Sequence, residues 1–391
     1  MGRMVVTCPR RPRGAYKLIF PVVCAALALA GLLVTVNLLT DDGGSPDTGD
    51  DDELLEAQAW SPYTIVENDH NSQMTMTHDL EGPQLVVRGA GQGSVLERLL
   101  PGGGPPRSLT TLDMTQPASP SIHCLHTRSH PQYPVCPHAA EDDRYISEQL
   151  LRQGTWEPHI LSLFTTALTY YPSSTVVDLG AHVGVYSLLG ARMGAHVVAV
   201  EPVWASAVRL HAGALAGGVA SKVTILLHAS ADHRFHAKLR YRAGNLGGTS
   251  VVEATPQEVD LLQRSQPHDL VTTLTLNNLE PFVNTSIILL KIDIEGWECR
   301  AVLGGNTFLT GHFAPYIFME WAVLANNRHK YHAPCRPRHL HHMVHWLADR
   351  GYHAHISKSG ARLHPAKLDT WRAGDIYWRH NSAPLLHDPQ N

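Results

Sequence analysis

The sequence is poor in cysteine. Only 6 cysteines occur in 391 residues, and no two have the Cys-x-x-Cys spacing of common zinc sites. An excess of charge of one sign is also lacking, since 31 Lys and Arg residues stand against 35 Asp and Glu residues, for a formal net charge of -4. No basic patch interleaved with aromatic residues occurs. These absences argue against a zinc finger and against a nucleic-acid-binding protein.

Charged residues are missing from one long apolar run, Leu18–Leu39. As a helix with a rise of about 1.5 Å per residue, the run spans roughly 33 Å, enough to cross a bilayer. Residues 1–17 are basic, so we expect this tail in the cytosol and the rest in the lumen. The pattern predicts an uncleaved signal anchor in a single-pass type II protein of the Golgi or another secretory-pathway membrane. A cleaved signal peptide is the alternative, although its apolar core is usually only about 7–15 residues.

Residues 40–120 are rich in Asp, Gly, Pro and Ser and have only short apolar stretches. Such a segment buries too little apolar surface to offset its ordering entropy. We interpret it as a flexible lumenal stem, and we expect the folded domain to occupy residues 121–391.

Two features after the stem fit a lumenal domain. Four cysteines could pair there, with Cys124–Cys136 the preferred bridge and free buried thiols the alternative. One glycosylation sequence, Asn284-Thr285-Ser286, directly precedes a predicted buried strand. The sequence leaves its use open.

From residue 140 the hydrophobic pattern is that of a folded domain. Apolar residues at helical spacing predict one or two helices over 145–164, and β-branched runs then alternate with helical stretches. The alternation predicts an α/β, Rossmann-like doubly wound sheet. We also expect a hairpin or loop excursion between 237 and 252, and an edge strand at Ile376–Trp378. Strands of the sheet are predicted at Thr175–Asp178, His196–Val200, Val223–Leu227, Leu289–Ile292 and Ile317–Glu320.

The first predicted strand ends at Asp178 and runs into a turn containing Gly180 and Gly184. Ligands of doubly wound sheets bind beyond the carboxyl ends of the strands, where glycine allows sharp turns and close backbone approach. The Gly-x-x-x-Gly spacing differs from that of a pyrophosphate-binding turn. Asp178 is expected to attract a cationic group, such as the ammonium of a methionine moiety.

The second predicted strand ends at Glu201, roughly 20 residues after the first glycine, where a carboxylate can accept both hydroxyls of a ribose. The two turns together predict a cofactor that carries a nucleoside. The alternative is that Glu201 only caps the following helix. Asp232, after the third strand, is a candidate for the adenine amino group, although Asp also favours turns.

The most distinctive segment is Lys291–Gly296, where three charged residues interrupt a predicted buried strand. Charged groups there are costly to desolvate unless they are paired or functional. The segment resembles the FkbM family of methyltransferases, whose signature runs Lys-hydrophobic-Asp-hydrophobic-Glu-Gly. The resemblance covers residues 170–325 and includes, in the family's order, the Asp178 turn, Glu201-Pro202, the Gly-rich Asn245–Ser250 loop and Ile317–Glu320.

This resemblance implies a class I methyltransferase fold, S-adenosylmethionine as cofactor, and methyl transfer to a hydroxyl. Because the sulfonium methyl is already activated, the protein chiefly aligns the acceptor oxygen and manages its proton. Asp293 is the candidate for acceptor binding, proton removal or coordination of a divalent cation. The resemblance leaves the presence of a cation open. Lys291 and Glu295 would set its charge state, and Glu320 would converge on the same edge. A structural ion-pair network is the alternative.

The chain departs from the family pattern at two places. His182 stands where many members carry Asn, and Thr275–Leu279 replaces a Leu-Asp-Asp-like stretch. The missing acidic residue puts any metal or substrate contact from that loop in doubt. The chain has 26 histidines, but His341 and His345 have no suitably spaced acidic partner, so a solvated helix face is expected rather than a zinc site.

The sequence therefore predicts a membrane-anchored, S-adenosylmethionine-dependent methyltransferase acting on a glycan, a lipid or a small molecule. A catalytically silent binding protein with the same fold is the alternative. The intact turns at Asp178, Gly180, Gly184 and Glu201 argue against it. A nicotinamide-dependent oxidoreductase is more distant because its glycine spacing differs.

Overall fold

The computed structural model describes residues 85–88, 109–327 and 333–386. Within these ranges, no helix combines the length and apolar character needed to cross a membrane. The predicted signal anchor at 18–39 and the tail before it lie outside the described residues.

Strands and helices of the described residues are numbered in chain order. The strands are β1 Leu85–Arg88, β2 Leu109–Leu112, β3 Leu125–His126, β4 Pro134–Val135, β5 Thr175–Leu179, β6 His196–Val200, β7 Val223–Leu226, β8 Ala229–Ser230, β9 His236–Arg242, β10 Asn245–Glu253, β11 Leu270–Leu274, β12 Ile287–Ile292, β13 Phe313–Glu320, β14 Tyr352–Ile356, β15 Arg362–Leu363 and β16 Asp375–His380. The α-helices are α1 Ile146–Gln153, α2 Pro158–Tyr170, α3 Val185–Arg192, α4 Trp204–Ala216, α5 Pro256–Ser265, α6 Glu298–Gly304, α7 Asn306–Gly311, α8 Ala322–Asn327 and α9 Pro337–Ala348.

The larger sheet has the strand order β1-β2-β7-β6-β5-β12-β13-β16-β14-β15. Its central strands β7, β6, β5, β12 and β13 are parallel, whereas the flanking pairs are antiparallel. The parallel centre confirms the predicted α/β sheet, and the sheet as a whole is mixed. Because parallel strands end at one edge, the residues that follow β5, β6, β12 and β13 come together there.

Side chains of the central strands alternate between two cores. Val176 and Leu289 pack on one side of the sheet, with residues of α2, α3 and α4. Val177 and Leu290 pack on the other side, with residues of α6, α7 and α9. This period-two alternation with both faces apolar is what a sheet covered by helices on both sides requires.

The predicted edge strand, Ile376–Trp378, lies inside the sheet. It belongs to β16, which pairs with β13 on one side and β14 on the other. The expectation of an edge strand is therefore wrong. The reason is that β14, with the sequence Tyr-His-Ala-His-Ile, has too few apolar residues to be recognised as a strand, yet Tyr352 and Ala354 are buried and extend the sheet.

The folded domain begins earlier than residue 121. Within the predicted stem, Leu109–Leu112 forms β2, whose Thr111 pairs with Leu226 of β7. Leu109 and Leu112 are both buried in the cores of the domain. The short apolar pattern Leu-Thr-Thr-Leu is therefore part of the sheet.

The hairpin expected between 237 and 252 is confirmed. β9 and β10 pair antiparallel and, with β11 and β8, form a second sheet in the order β10-β9-β11-β8. Backbone hydrogen bonds fasten the hairpin tip to the chain before α1: Arg144 N–H donates to the Gly244 carbonyl, and Leu246 N–H donates to the Asp142 carbonyl.

Two disulfides join the four cysteines of the described ranges. Cys124–Cys136 confirms the preferred bridge. Cys299–Cys335 links α6 to the segment that precedes α9. The alternative of free buried thiols does not apply to these residues.

Candidate active site

A cleft opens at the carboxyl ends of β5, β6 and β12, with about 490 Å³ of empty space that includes the open solvent at its mouth. This is the edge at which the sequence predicted ligand binding. The hairpin strand β10 contributes the other part of its wall. The lining includes Gly180, His182, Glu201, Ser230, Leu246, Gly247, Thr249, Val251, Asp293 and Glu295.

The turn after β5 needs glycine at two positions. Gly180 has φ +81°, and a Cβ there would lie 1.7 Å from the carbonyl oxygen of Asp293. Gly184 has φ +89°, and a Cβ there would lie 2.1 Å from the side chain of Leu210 in α4. Left-handed backbone and lack of space both exclude a side chain. Gly180 therefore brings two turns of the cleft into contact, whereas Gly184 lets α3 pack closely on α4.

Asp178 lies beneath the cleft rather than in its lining. Its side chain is buried, and its Oδ2 accepts a 2.6 Å hydrogen bond from the Ser187 hydroxyl in α3. Burial raises the pKa of Asp178 to about 6, against the lowering effects of the Ser187 bond and of Lys291. In this position the carboxylate fixes the start of α3 beneath the turn.

Glu201 lines the cleft and is held by backbone groups on both sides. Its Oε2 accepts a hydrogen bond from His182 N–H at 2.7 Å, and its Oε1 accepts one from Val203 N–H at 2.8 Å. Burial raises the pKa of Glu201 to about 7, although these two bonds act to lower it. Each carboxylate oxygen has further acceptor capacity, as a ribose contact requires.

His182, noted in the sequence only as a departure, is central to this turn. Its backbone has φ +49°, and its N–H orients Glu201. The half-buried ring lies at a tilt of 37° to that of His138, with 5.3 Å between centroids, and its Nε2 lies 3.6 Å from Oδ2 of Asp143. Burial lowers the pKa of His182, against the raising effect of Asp143.

Asp232, the adenine candidate, is not among the residues that line the cleft. Its carboxylate binds Arg300 Nε at 2.6 Å and His233 Nδ1 at 2.8 Å. Burial acts to raise the pKa of Asp232, but hydrogen bonds from Arg300 and His233 outweigh it and lower the pKa. Ser230, two residues earlier, does line the cleft, and its buried hydroxyl has no hydrogen-bond partner among the described residues. Sequence reasoning passed over Ser230 because a serine at a strand end is common.

Lys291 and Asp293 form the ion pair at the end of β12. Lys291 is 1% exposed, and its Nζ lies 2.9 Å from Oδ2 of Asp293, whose side chain is 32% exposed. The ammonium also lies 5.0 Å from the centroid of the Tyr186 ring. Burial alone would lower the pKa of Lys291, but Asp293, Glu157 and other carboxylates outweigh it and raise the pKa.

Glu157 was missed in the sequence, where it sits between two helices without a motif. Its Oε2 accepts a 2.6 Å hydrogen bond from the Tyr186 hydroxyl. Burial raises the pKa of Glu157 to about 7, and Lys291 acts to lower it. The lysine is thus surrounded by groups that stabilise its charge.

Three predicted carboxylates meet beside the ion pair. Asp293, Glu295 and Glu320 each place an oxygen within 4.8 Å of the others, close enough to hold a cation between them. Burial raises the pKa of Glu295 to about 7 and that of Glu320 to about 11, and the charge of Asp293 adds to both shifts. Glu298, also missed, supports the turn: its Oε1 accepts hydrogen bonds from Ile294 N–H at 3.0 Å and Gly296 N–H at 3.2 Å.

The loop that departs from the family pattern has structural roles. Thr275 and Asn278 form a capping box for the 3-10 helix Leu276–Phe282, and Asn277 Oδ1 accepts a hydrogen bond from Phe308 N–H. None of the three lines the cleft. His341 and His345 are exposed on α9, as expected for a solvated helix face.

The cleft combines the remaining acceptor capacity of the Glu201 carboxylate with the hydroxyl of Ser230, which has no hydrogen-bond partner among the described residues. Residues 178–354 match the family described as Methyltransferase FkbM domain. This segment of the protein therefore resembles an FkbM methyltransferase domain. The match confirms the predicted enzyme class and S-adenosylmethionine as its cofactor.

No curated protein matches the chain. Similar solved structures include an O-methyltransferase from Bacillus cereus in complex with SAH, at 10% identity and a TM-score of 0.33, with 57% of this chain and 81% of that chain covered. The O-methyltransferase TomG from Streptomyces achromogenes, involved in tomaymycin synthesis and in complex with SAM, has 12% identity and a TM-score of 0.33, with 63% and 91% covered. Similarity this remote transfers no residue role to this chain.

Proposed function

We propose that the protein transfers the methyl group of S-adenosylmethionine to a hydroxyl oxygen of a glycan, a lipid or a small molecule in the secretory pathway. One observation carries the proposal: Glu201, the candidate ribose acceptor, and Asp293, the candidate acceptor-binding carboxylate, line the same cleft. A donor site and a reactive carboxylate in one cleft are what methyl transfer requires.

Binding of the donor would involve the turns after β5 and β6. Glu201 would accept the ribose hydroxyls, and Ser230 would bond to another polar group of the nucleoside. The sulfonium of the bound cofactor supplies an activated methyl group. Asp178 is buried and bonded to Ser187, so it would not contact the ammonium group of the cofactor. It would instead support donor binding by holding the turn after β5 in place.

Asp293 is suited to bind the acceptor hydroxyl and to take its proton. Lys291 occupies Oδ2, while Oδ1 accepts no hydrogen bond from the described residues. The partly exposed carboxylate can therefore present Oδ1 to an acceptor in the cleft. Because Lys291 is buried and its charge is stabilised by carboxylates, it would hold Asp293 in one orientation.

A divalent cation held by Asp293, Glu295 and Glu320 is the second mechanism, favoured by the close approach of their oxygens. It would orient the acceptor oxygen and lower the pKa of the acceptor hydroxyl. Against it stands the Lys291 ammonium, which lies 2.9 Å from one Asp293 oxygen and would repel a dication there.

The membrane-anchored, lumenal placement is a further part of the proposal. It is supported by the charge asymmetry around Leu18–Leu39 and by the two disulfides, which fit an oxidising compartment. We place the enzyme in the Golgi or another secretory-pathway membrane, with its catalytic domain in the lumen.

Calorimetry with S-adenosylmethionine and with NAD tests the donor site. We expect the purified protein to bind S-adenosylmethionine and not NAD. Turnover of the methyl donor is then measured against glycan and lipid extracts. Donor binding without turnover on any hydroxyl-bearing fraction would favour the silent binding protein, and failure to bind the donor would refute the function itself.

A further inference from the structure

We propose that Asn284 carries an N-linked glycan, on a part of the domain away from the cleft. Asn284-Thr285-Ser286 is the single Asn-x-Ser/Thr sequence of the 391 residues with a residue other than proline in the middle. The methyltransferase function does not use it. The proposal rests on the lumenal placement proposed above, because the modification occurs on secretory-pathway proteins.

Within the glycosylation sequence, the two residues that the modification requires are exposed, and the middle residue bonds to the sheet. Asn284 and Ser286 are exposed in the segment between the 3-10 helix Leu276–Phe282 and β12. Thr285, between them, is turned to the sheet: its Oγ1 accepts a 3.2 Å hydrogen bond from Thr175 N–H and donates to the Ile287 carbonyl at 2.8 Å. The modified side chain is therefore presented outward while its neighbour holds the strand entry.

The position is compatible with catalysis. Asn284 precedes the amino end of β12, whereas Asp293 follows its carboxyl end. Six residues of strand at about 3.3 Å each put roughly 20 Å between the two ends. A bulky, hydrated group at Asn284 would therefore leave the cleft open.

Glycosylation is tested on the full chain expressed in cells with a secretory pathway. We expect a single mobility shift on digestion with peptide-N-glycosidase. Asn284→Gln and Ser286→Ala should both abolish the shift. Ser286→Thr keeps the sequence motif at the same exposed position and should retain it. An undigestible wild-type chain, or a shift that survives Asn284→Gln, would overturn the proposal.

A reporter glycosylation sequence added after Asn391 separates this proposal from the topology. Modification of the reporter together with Asn284 supports both. A modified reporter with an unmodified Asn284 refutes the glycan alone, and the lumenal placement stands. If neither is modified, the lumenal placement fails and the glycan with it. Donor affinity after enzymatic removal of the glycan should equal that before, and a loss of affinity would contradict the placement away from the cleft.

Discussion

The Nζ of Lys291 lies 2.9 Å from Oδ2 of Asp293 at the end of β12, and it joins a buried cation to a carboxylate that reaches the cleft. The two residues have opposite environments: the lysine is enclosed by Tyr186 and carboxylates, and the aspartate is partly exposed. Such a pair fixes the direction of the carboxylate and leaves one of its oxygens for a ligand. The predictions below separate this role from a purely structural one.

Replacing Asp293 by Asn should separate donor binding from chemistry. The amide keeps the size of the side chain but cannot take a proton, so turnover should fall by about two orders of magnitude or more. Donor affinity, measured by calorimetry, should stay close to that of the wild type because Glu201 and its turn are unchanged. Full activity would make Asp293 structural, and a collapse of thermal stability would show that its pairing with Lys291 holds the strand end.

Replacing Lys291 by Met should destabilise the fold. The change leaves carboxylates without their buried cation. Loss of one partner of a fully buried pair costs about 3–5 kcal/mol, which is the upper bound here because Asp293 is partly exposed. Lys238→Met is the matched control, since Lys238 pairs with Glu258 near the surface and should cost about 1 kcal/mol or less. Urea unfolding measures both free energies. Equal effects of the two substitutions would contradict a special role for the Lys291 pair.

Donor affinity should depend on pH through Glu201. The pKa of Glu201 is raised to about 7, so the carboxylate gains a proton as the pH falls through 7 and loses capacity to accept ribose hydroxyls. If the protonated form does not bind, affinity should drop about tenfold between pH 8 and pH 6. Calorimetry across this range measures the change.

The control for this pH dependence is Glu201→Ala. At pH 8 it should weaken donor binding by about 2–3 kcal/mol, the scale of charge-assisted hydrogen bonds. Its remaining affinity should not vary over the same pH range. If the variant folds and binds the donor with wild-type affinity, Glu201 has only a structural role, which is to accept hydrogen bonds from the His182 and Val203 backbone.

Treatment with a metal chelator should leave turnover unchanged. The Lys291 ammonium already neutralises Asp293, and the raised pKa of Glu320, about 11, favours its protonated form at neutral pH. Both effects weaken the attraction of the cluster for a dication. Turnover that is lost on chelation and restored by Mg²⁺ or Mn²⁺ would instead establish the cation mechanism. Glu320→Gln should then raise the metal concentration required.

A tag placed after Asn391 should be protected from protease in sealed microsomes. The expectation follows from the basic residues before Leu18–Leu39 and the acidic residues after it. Detergent should make the tag accessible, which serves as the control. Digestion in the absence of detergent would refute the lumenal placement.

The sequence was sufficient to locate the parallel strands and the residues at their ends. Asp293 and Glu201 follow buried strands directly, so their position at one sheet edge is a consequence of topology. Glu157 and Tyr186 could not be found this way, because their placement near Lys291 depends on how α2 and α3 pack on the sheet. β2 and β14 were missed for a related reason: their strand character comes from pairing with a neighbouring strand rather than from an apolar run.

At Gly180 the turn after β5 is in direct contact with the turn after β12. The space that a Cβ would need there is filled by the Asp293 carbonyl oxygen, and Asp293 N–H in turn donates to the Leu179 carbonyl. The candidate donor turn and the candidate acceptor carboxylate therefore lie on two adjoining backbone segments that are joined by this hydrogen bond. A shift of the donor turn, whether from donor binding or from a bulkier residue at position 180, would carry Asp293 with it. Donor occupancy and acceptor alignment should thus respond together.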